Sequence, residues 1–568
     1  MRRLIGKFVQ ILPLEFRVLY RQFLLRAIDL EALSIHANVT RFLGQFAGLL
    51  IMYSCIQAVA AFMATLGTPP PPAAMADLAR HTEQSAIEIM MLVVGLIAVV
   101  SWDAIFPDRR DVMVLSPLPI APRTLLFAKI AASAAIIGIA ILALNCASSF
   151  AWSLILEGFP GALRFLPAWW CTMLAASAFL YGSVLTVQGL SALLLPRRVF
   201  LRVSAILQLA GFGLFLGVYF LEPSVLIPGL FTSAENHWLL ACSPTYWFFA
   251  FFNQLNGTLP TQLNWLAARA WIGLSIAVSG AAASLLLCYM RTMKKIVEEP
   301  DLIPGAGGSH WSPRFGGPLQ TAIVLFSFRS LARSRQHRVI FAFYLSIVFA
   351  IALSLLKVIL STTGPIPLSS ALIIPTVLMM CFAVIGLRNV FPLPISLTAN
   401  WILRITQLRP TQNYLAATRS SMLLLAVGPA WLLSASLSLR YTPWQHVAEH
   451  LLVLALLGLI FAELSLIGFY KVPFTCSYLP GKSNIQFAFW GFVIVLLILA
   501  ISFAPFEYAA LSNAFSYSLL IFELAAAEAA LIAINRHRAK SAVLYFEEPP
   551  EEPITSLNLI LAPRPPTD

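Results

Sequence analysis

Long apolar runs alternate with short polar segments along this chain. In the first half they cover 42–66, 86–106, 130–156, 167–195, 203–221 and 270–290. In the second they cover 339–356, 368–387, 420–439, 451–470, 485–506 and 509–534. Each is about the length that crosses a bilayer as an α-helix. The pattern therefore predicts an all-α, polytopic membrane protein with about 12 transmembrane helices. Before the first run, Leu, Phe and Ile residues interleave with Arg17, Arg21 and Arg26. That alternation predicts an interfacial amphipathic helix and argues against a cleaved signal peptide. Between 222 and 266 the pattern changes again. Leu239 to Leu255 is apolar and aromatic but broken by Pro244, which predicts an interfacial or re-entrant helix pair with Tyr246 and Trp247 in an aromatic belt.

Composition agrees with lipid as the solvent. Of 568 residues, 59% are hydrophobic and 11% charged, against about 25% charged in soluble proteins. The net charge of +12 could suggest nucleic acid in a soluble chain. Here its placement matters more, and no nucleic-acid partner is expected. With the N-terminus in the cytosol, every Lys and Arg except Arg80, Arg164, Arg269, Lys357 and Arg440 falls at a cytosolic loop, terminus or helix end. Cytosolic loops carry that excess, so both termini are expected inside, with the protein integral to the cytoplasmic (inner) membrane. The seven cysteines show no CxxC spacing and imply neither a disulfide framework nor a zinc ribbon.

The two halves share landmarks in one order. Arg17 to Ile28 answers Phe326 to Arg338 ahead of the first span of each half. Phe106-Pro107 answers Phe391-Pro392 after the second. Leu195-Pro196-Arg197-Arg198 answers Leu479-Pro480-Gly481-Lys482 after the fourth. Glu298-Glu299-Pro300 answers Glu547-Glu548-Pro549 at the end. This predicts two parallel six-helix repeats: a first half at 1–300 with the interfacial helix and outer re-entrant segment, a Gly-rich cytosolic linker at 301–320, a second half at 321–550 and a cytosolic tail at 551–568.

Phe106 to Lys129 stands apart. It opens on Asp108, Arg109, Arg110 and Asp111, is broken by Pro117, Pro119 and Pro122, and re-enters an apolar run through Arg123 and Lys129. Such a segment cannot sit in lipid. It resembles the segment between the second and third spans of ABC-2 type exporter permeases, where charged residues precede a Leu-Pro-Ile type step and an Ala-Lys pair. Asp108 to Asp111, Leu118-Pro119-Ile120 and Ala128-Lys129 occupy those places. The second half matches weakly, through Arg404, Leu408-Arg409-Pro410 and Ala417-Thr418-Arg419. The resemblance implies a coupling surface for a separate cytosolic ABC ATPase subunit, itself a dimer. ATP and Mg would belong to that subunit; this chain would carry no cofactor and no catalytic residue. It also implies that Val112, Leu115 and Leu118 fill a groove on the partner, while the spans contact membrane lipids.

Three further signals bear on function. Gly481-Lys482-Ser483 ends like a Walker A motif, but Cys476 stands where the first glycine belongs and a span precedes it, so no phosphate loop is expected. His446, Glu449 and His450 spell HxxEH, which on a helix can hold zinc. The third ligand would be Glu523 or Glu528, and the topology puts Glu523 about 20 Å deeper at 1.5 Å per residue, so no metal site is expected. Glu463, Glu523 and Glu528 lie within apolar runs and are the candidates for a polar translocation path, against a buried, hydrogen-bonded carboxyl as the alternative. Glu523 and Glu528 are about 140° apart on a helix and cannot share a narrow face. The expected function is the permease subunit of an ATP-driven exporter. A 12-span ion-coupled secondary transporter is the alternative, and an intramembrane metalloprotease a more distant one.

Overall fold

The computed structural model describes residues 13–28, 39–63, 72–102, 106, 112, 118–223, 230–231, 236–298, 313–361, 370–393, 411–439, 444–475, 495, 498–499 and 502–544. These residues are helices and their connections, with no strand among them. Eight helices are long and apolar enough to cross a membrane, and Ala47–Met63, Ile206–Leu221 and Ile340–Leu356 are shorter apolar stretches. Together they correspond one to one with the apolar runs of the sequence, except 485–506, most of which lies outside the described residues. Leu286, Phe522 and many other large apolar side chains are exposed on the outer helix faces, as lipid solvation allows. The chain is an all-α polytopic membrane protein. By its internal contacts it divides between Ala306 and Gly307.

The first unit opens with α1 (Leu14–Ile28), which turns Leu19 and Phe23 inward and leaves Leu14 and Val18 exposed. It packs on α4 (Pro122–Asn145). The first two spans are α2 (Val39–Met63) and α3 (Pro72–Val100). Last-turn carbonyls of a helix lack intrahelical donors. At the end of α3, Gln208 donates to the Val99 carbonyl at 2.8 Å and Gln188 donates to that of Trp102. α4 starts at Pro122, where a missing N–H costs nothing.

The expected single run 130–156 is interrupted. α4 ends at Asn145, and α5 (Ser148–Leu194) begins after a two-residue break. Buried Ser54 of α2 holds that break: its Oγ accepts from the backbone N–H of both Ala147 and Ser148 at 3.0 Å. A hydroxyl from a distant span, invisible to local periodicity, satisfies the free donors. α5 is itself kinked at Gly158, whose φ of 66° favours glycine.

α6 (Arg197–Leu221) follows Pro196, and the predicted pair after it is α7 (His237–Cys242) and α8 (Pro244–Asn256), split at Ser243. α8 differs from an interfacial belt. Tyr246, Phe248, Phe249, Phe251 and Phe252 are all buried, and the Tyr246 hydroxyl donates to the Pro223 carbonyl at 2.7 Å. Phe252 meets Phe165 and Trp169 of α5 edge-on, with centroids 5.2 and 5.8 Å apart. Edge-to-face packing of large rings draws this helix into the bundle. Trp247 is half-buried, with its indole N–H on the Leu240 carbonyl. The last span, α9 (Asn264–Glu298), lies on α5 along a seam of small residues. A Cβ at Gly182 would stand 2.9 Å from the Ala277 carbonyl oxygen, so close backbone approach sets this contact.

The second unit repeats much of this order. α10 (Pro318–Arg333) precedes α11 (Arg335–Ser361) and α12 (Ser370–Val390). α13 covers 411–439; it is α-helical over Thr411–Met422, π-helical over Leu423–Val427 and α-helical again over Gly428–Leu439. Pro429 has no N–H to give the Leu425 carbonyl, and just before it Gly428 N–H reaches back five residues to the Leu423 carbonyl. α14 (Trp444–Ser465) leads to α15 (502–510) and α16 (Ala514–Ser541). α10 packs on α13 as α1 packs on α4, α12 on α14 as α3 on α5, and α14 on α16 as α5 on α9. Phe106 and Phe391, the landmarks after the second span, are both buried.

Candidate functional site

Arg419 sits near the start of α13, where α10 packs, and points between α14 and α16. Its Nη2 donates to Glu528 Oε1 of α16 at 2.8 Å, and its Nε forms an ion pair with Glu463 Oε1 of α14. Asn535 of α16 completes the group. Its Nδ2 donates to Glu463 Oε2 at 2.6 Å and lies 3.2 Å from the Glu463 carbonyl. Glu528 and Asn535 are seven residues apart, so one face of α16 presents both. The Glu463 and Glu528 side chains are 5% and 8% exposed and Arg419 is 31% exposed. One guanidinium thus faces two nearly buried carboxylates, and Glu528 Oε2 has no hydrogen-bond partner. Beside this group Arg388 caps the end of α14, donating from Nε to the Ser465 carbonyl at 2.6 Å and lying over the Phe469 ring at 4.6 Å.

The three carboxylates singled out in the sequence separate here. Glu463 and Glu528 converge, whereas Glu523 is exposed on another face of α16. Arg419 enters the sequence reading only as the weak counterpart of Lys129, and Asn535 not at all. The signal for Asn535 was its seven-residue spacing from Glu528. Nothing local tied Arg419 to residues 44 and 109 positions away.

Of the coupling-surface candidates, Asp108, Arg109, Arg110, Asp111, Arg404 and Arg409 lie outside the described residues, as does Gly481-Lys482-Ser483. Pro119 is exposed beside exposed Leu118. Lys129 is buried: its Nζ donates to the Phe106 carbonyl at 3.1 Å and stands 5.1 Å from the Phe23 ring centroid of α1. It ties both ends of its segment to α1 and presents no exposed charge. Val112 is buried as well, so it is taken up within the chain and is not free to fill a partner's groove.

The HxxEH residues part company. His446 is exposed and pairs with Glu449 at 3.3 Å, while His450 is buried against Thr376 and Glu507. Among the described residues no group of three or more His, Cys, Asp or Glu side chains is placed to hold a metal ion. In the first unit a polar, uncharged cleft lies between α2, α3, α4 and α5, with Tyr53, Gln57, Thr82, Ser85 and Asn145 on its wall beside Trp152 and Trp169.

The fold and these intramembrane polar groups define the class: an all-α polytopic membrane protein with ionisable side chains inside its helix bundle. No protein family, curated protein or solved structure matches the chain.

Proposed function

We propose that this chain is the membrane-spanning permease subunit of an ATP-driven exporter of the ABC-2 type, with ATP and Mg bound by a separate, dimeric cytosolic ATPase subunit. Both termini would face the cytosol. The supporting observation is a shared arrangement at one end of each unit. An amphipathic helix ahead of the first span, α1 or α10, packs on the base of the third span, α4 or α13. In the first unit Phe106 and Lys129, the two ends of the charged, proline-punctuated stretch, meet beside α1, and Leu118, Pro119, Leu14 and Val18 are exposed. Exposed apolar side chains next to a charged loop suit a docking partner, because a few buried anchors supply most of an interface's affinity. The test is copurification of the ATPase subunit with the chain and its loss in the D108K/D111K double variant. Losing paired charges at an interface costs about 2–5 kcal/mol, which would abolish capture. Reversal of Arg404 and Arg409 should hurt less. Full retention of ATPase and transport in D108K/D111K would sink the coupling role.

One observation favours a second reading, an ion-coupled secondary transporter. Glu463 and Glu528 share one guanidinium inside the bundle, and intramembrane carboxylates of this kind recur in ion and proton pathways. Transport that continues without ATP but stops when ion gradients are collapsed would select it.

A further inference from the structure

His450 and Glu507 form a second ionisable pair that the Arg419 group does not include. His450 lies thirteen residues before Glu463 on α14, about 20 Å along the helix axis at 1.5 Å per residue. Its Nδ1 is 2.6 Å from Glu507 Oε1 of α15, and the two side chains are 1% and 0% exposed. On the other side of the ring, Nε2 is 2.9 Å from Thr376 Oγ1 of α12. That oxygen is also 2.7 Å from the Ile373 carbonyl. The surroundings are apolar: Ile373, Val377, Val447, Leu451 and Ala504 are all buried. Glu507 Oε2 is buried without a hydrogen-bond partner.

We propose that His450 and Glu507 together form a binding site for one exchangeable proton. The argument is a count of charge. A neutral imidazole beside a carboxylate leaves one full negative charge buried among apolar side chains with one oxygen undonated by the protein, which is costly. One added proton makes the pair neutral. On the imidazole, it lets Nδ1–H donate to Glu507 and Nε2–H donate to Thr376, whose hydroxyl then donates to Ile373. On the carboxyl, it removes the charge outright. In either case the proton belongs to the pair. Losing it leaves Glu507 Oε2 a buried, charged acceptor that no protein group donates to. Among the described residues, the other titratable groups on the packed elements, Cys381 apart, have partners elsewhere or lie at exposed faces. His446 and Glu449 pair with each other at the exposed face of α14, and the Tyr517 hydroxyl of α16 donates to the Glu449 carbonyl at 3.0 Å. Tyr508 of α15 is exposed, and Cys381 is buried five residues beyond Thr376 on α12.

The test uses the full chain, labelled with 15N-histidine, in lipid nanodiscs. Imidazole 15N spectra and carboxyl infrared bands are recorded between about pH 5 and 9, the range in which histidine titrates. H450Q assigns the His450 resonances, and E507Q assigns the infrared band. The expected result is a reversible change with pH in one of the two signals. E507Q should also change the His450 15N shifts at a fixed pH, because Nδ1 loses its carboxylate partner. Should H450Q or E507Q not fold, T376V identifies the same imidazole, because among the described histidines only His450 reaches that hydroxyl. If neither signal responds to pH, or if the His450 15N spectra are identical in E507Q, the proposal is overturned. No readout depends on transport or on an ATPase, so its failure leaves the permease reading standing.

Discussion

Lys129 and Arg419 sit near the start of the third span of their respective units, each on the helix that receives the amphipathic helix ahead of the first span. They use that place differently. The Lys129 ammonium ends on a backbone carbonyl and an aromatic face. The Arg419 guanidinium ends on two carboxylates. The forked, planar guanidinium can serve two acceptors at once, which a compact ammonium does less well. The two third spans thus carry a cation at matching places, and among the described residues the contacts of that cation differ between the units.

Arg419→Ala should destabilise the second unit by about 2–3 kcal/mol. That is below the cost of breaking a fully buried pair, because the guanidinium is partly exposed. Two carboxylates would remain without their cation. Adding E528Q to R419A should restore part of the loss. Thermal unfolding in nanodiscs reads both. A wild-type midpoint for R419A would show that the cluster contributes nothing to stability.

Gly182→Ala should cost about 1–3 kcal/mol, since the new methyl meets backbone that cannot rotate away. Gly138→Ala on α4 is the control. Nothing lies within 4 Å of a Cβ there, and replacing a mid-helix glycine should gain about 0.5–1 kcal/mol. Equal midpoints for the two variants would refute a tight α5–α9 seam.

His337, just ahead of the apolar part of α11, should make stability depend on pH. Its Nε2–H donates to the Leu393 carbonyl at 2.8 Å, and its Nδ1 accepts from the Ser334 hydroxyl. Burial holds it below the ordinary histidine range. The unfolded chain therefore binds the proton more readily. Stability is fully present above about pH 6.5 and falls as pH drops toward the lowered folded value, by up to about 1.4 kcal/mol per pH unit in that window. H337Q should flatten this slope. An unchanged slope in H337Q would assign the dependence to another group.

Topology can be checked by labelling single cysteines introduced at Ser233 and Ser312 in a background without the native seven. An impermeant reagent should reach Ser233→Cys from outside intact cells and not Ser312→Cys. Labelling of Ser312→Cys from outside would invert the orientation inferred from the Lys and Arg distribution.

Hydropathy along the chain was enough to place the helices. Transfer into lipid depends on about 20 consecutive residues at a time, so spans from Val39–Met63 to Ala514–Ser541 are visible without any partner. The break at Pro244 was equally legible, because proline acts on its own backbone. Glu463 and Glu528 could be marked as unusual, since a carboxylate inside an apolar run is costly wherever it ends up. Tertiary structure decided the rest. The break at Cys146 and Ala147 depends on Ser54, more than 90 residues away. The burial of α8 depends on Phe165 and Trp169 of α5. Glu523 and Glu528 look alike in sequence, yet only Glu528 faces Arg419, and His446 and His450 share a motif yet point to different surroundings. Ion pairs and hydrogen bonds between helices act over about 3 Å, while the residues that make them are scattered over the chain with no periodicity to betray them. Their pairing exists only once the helices have packed.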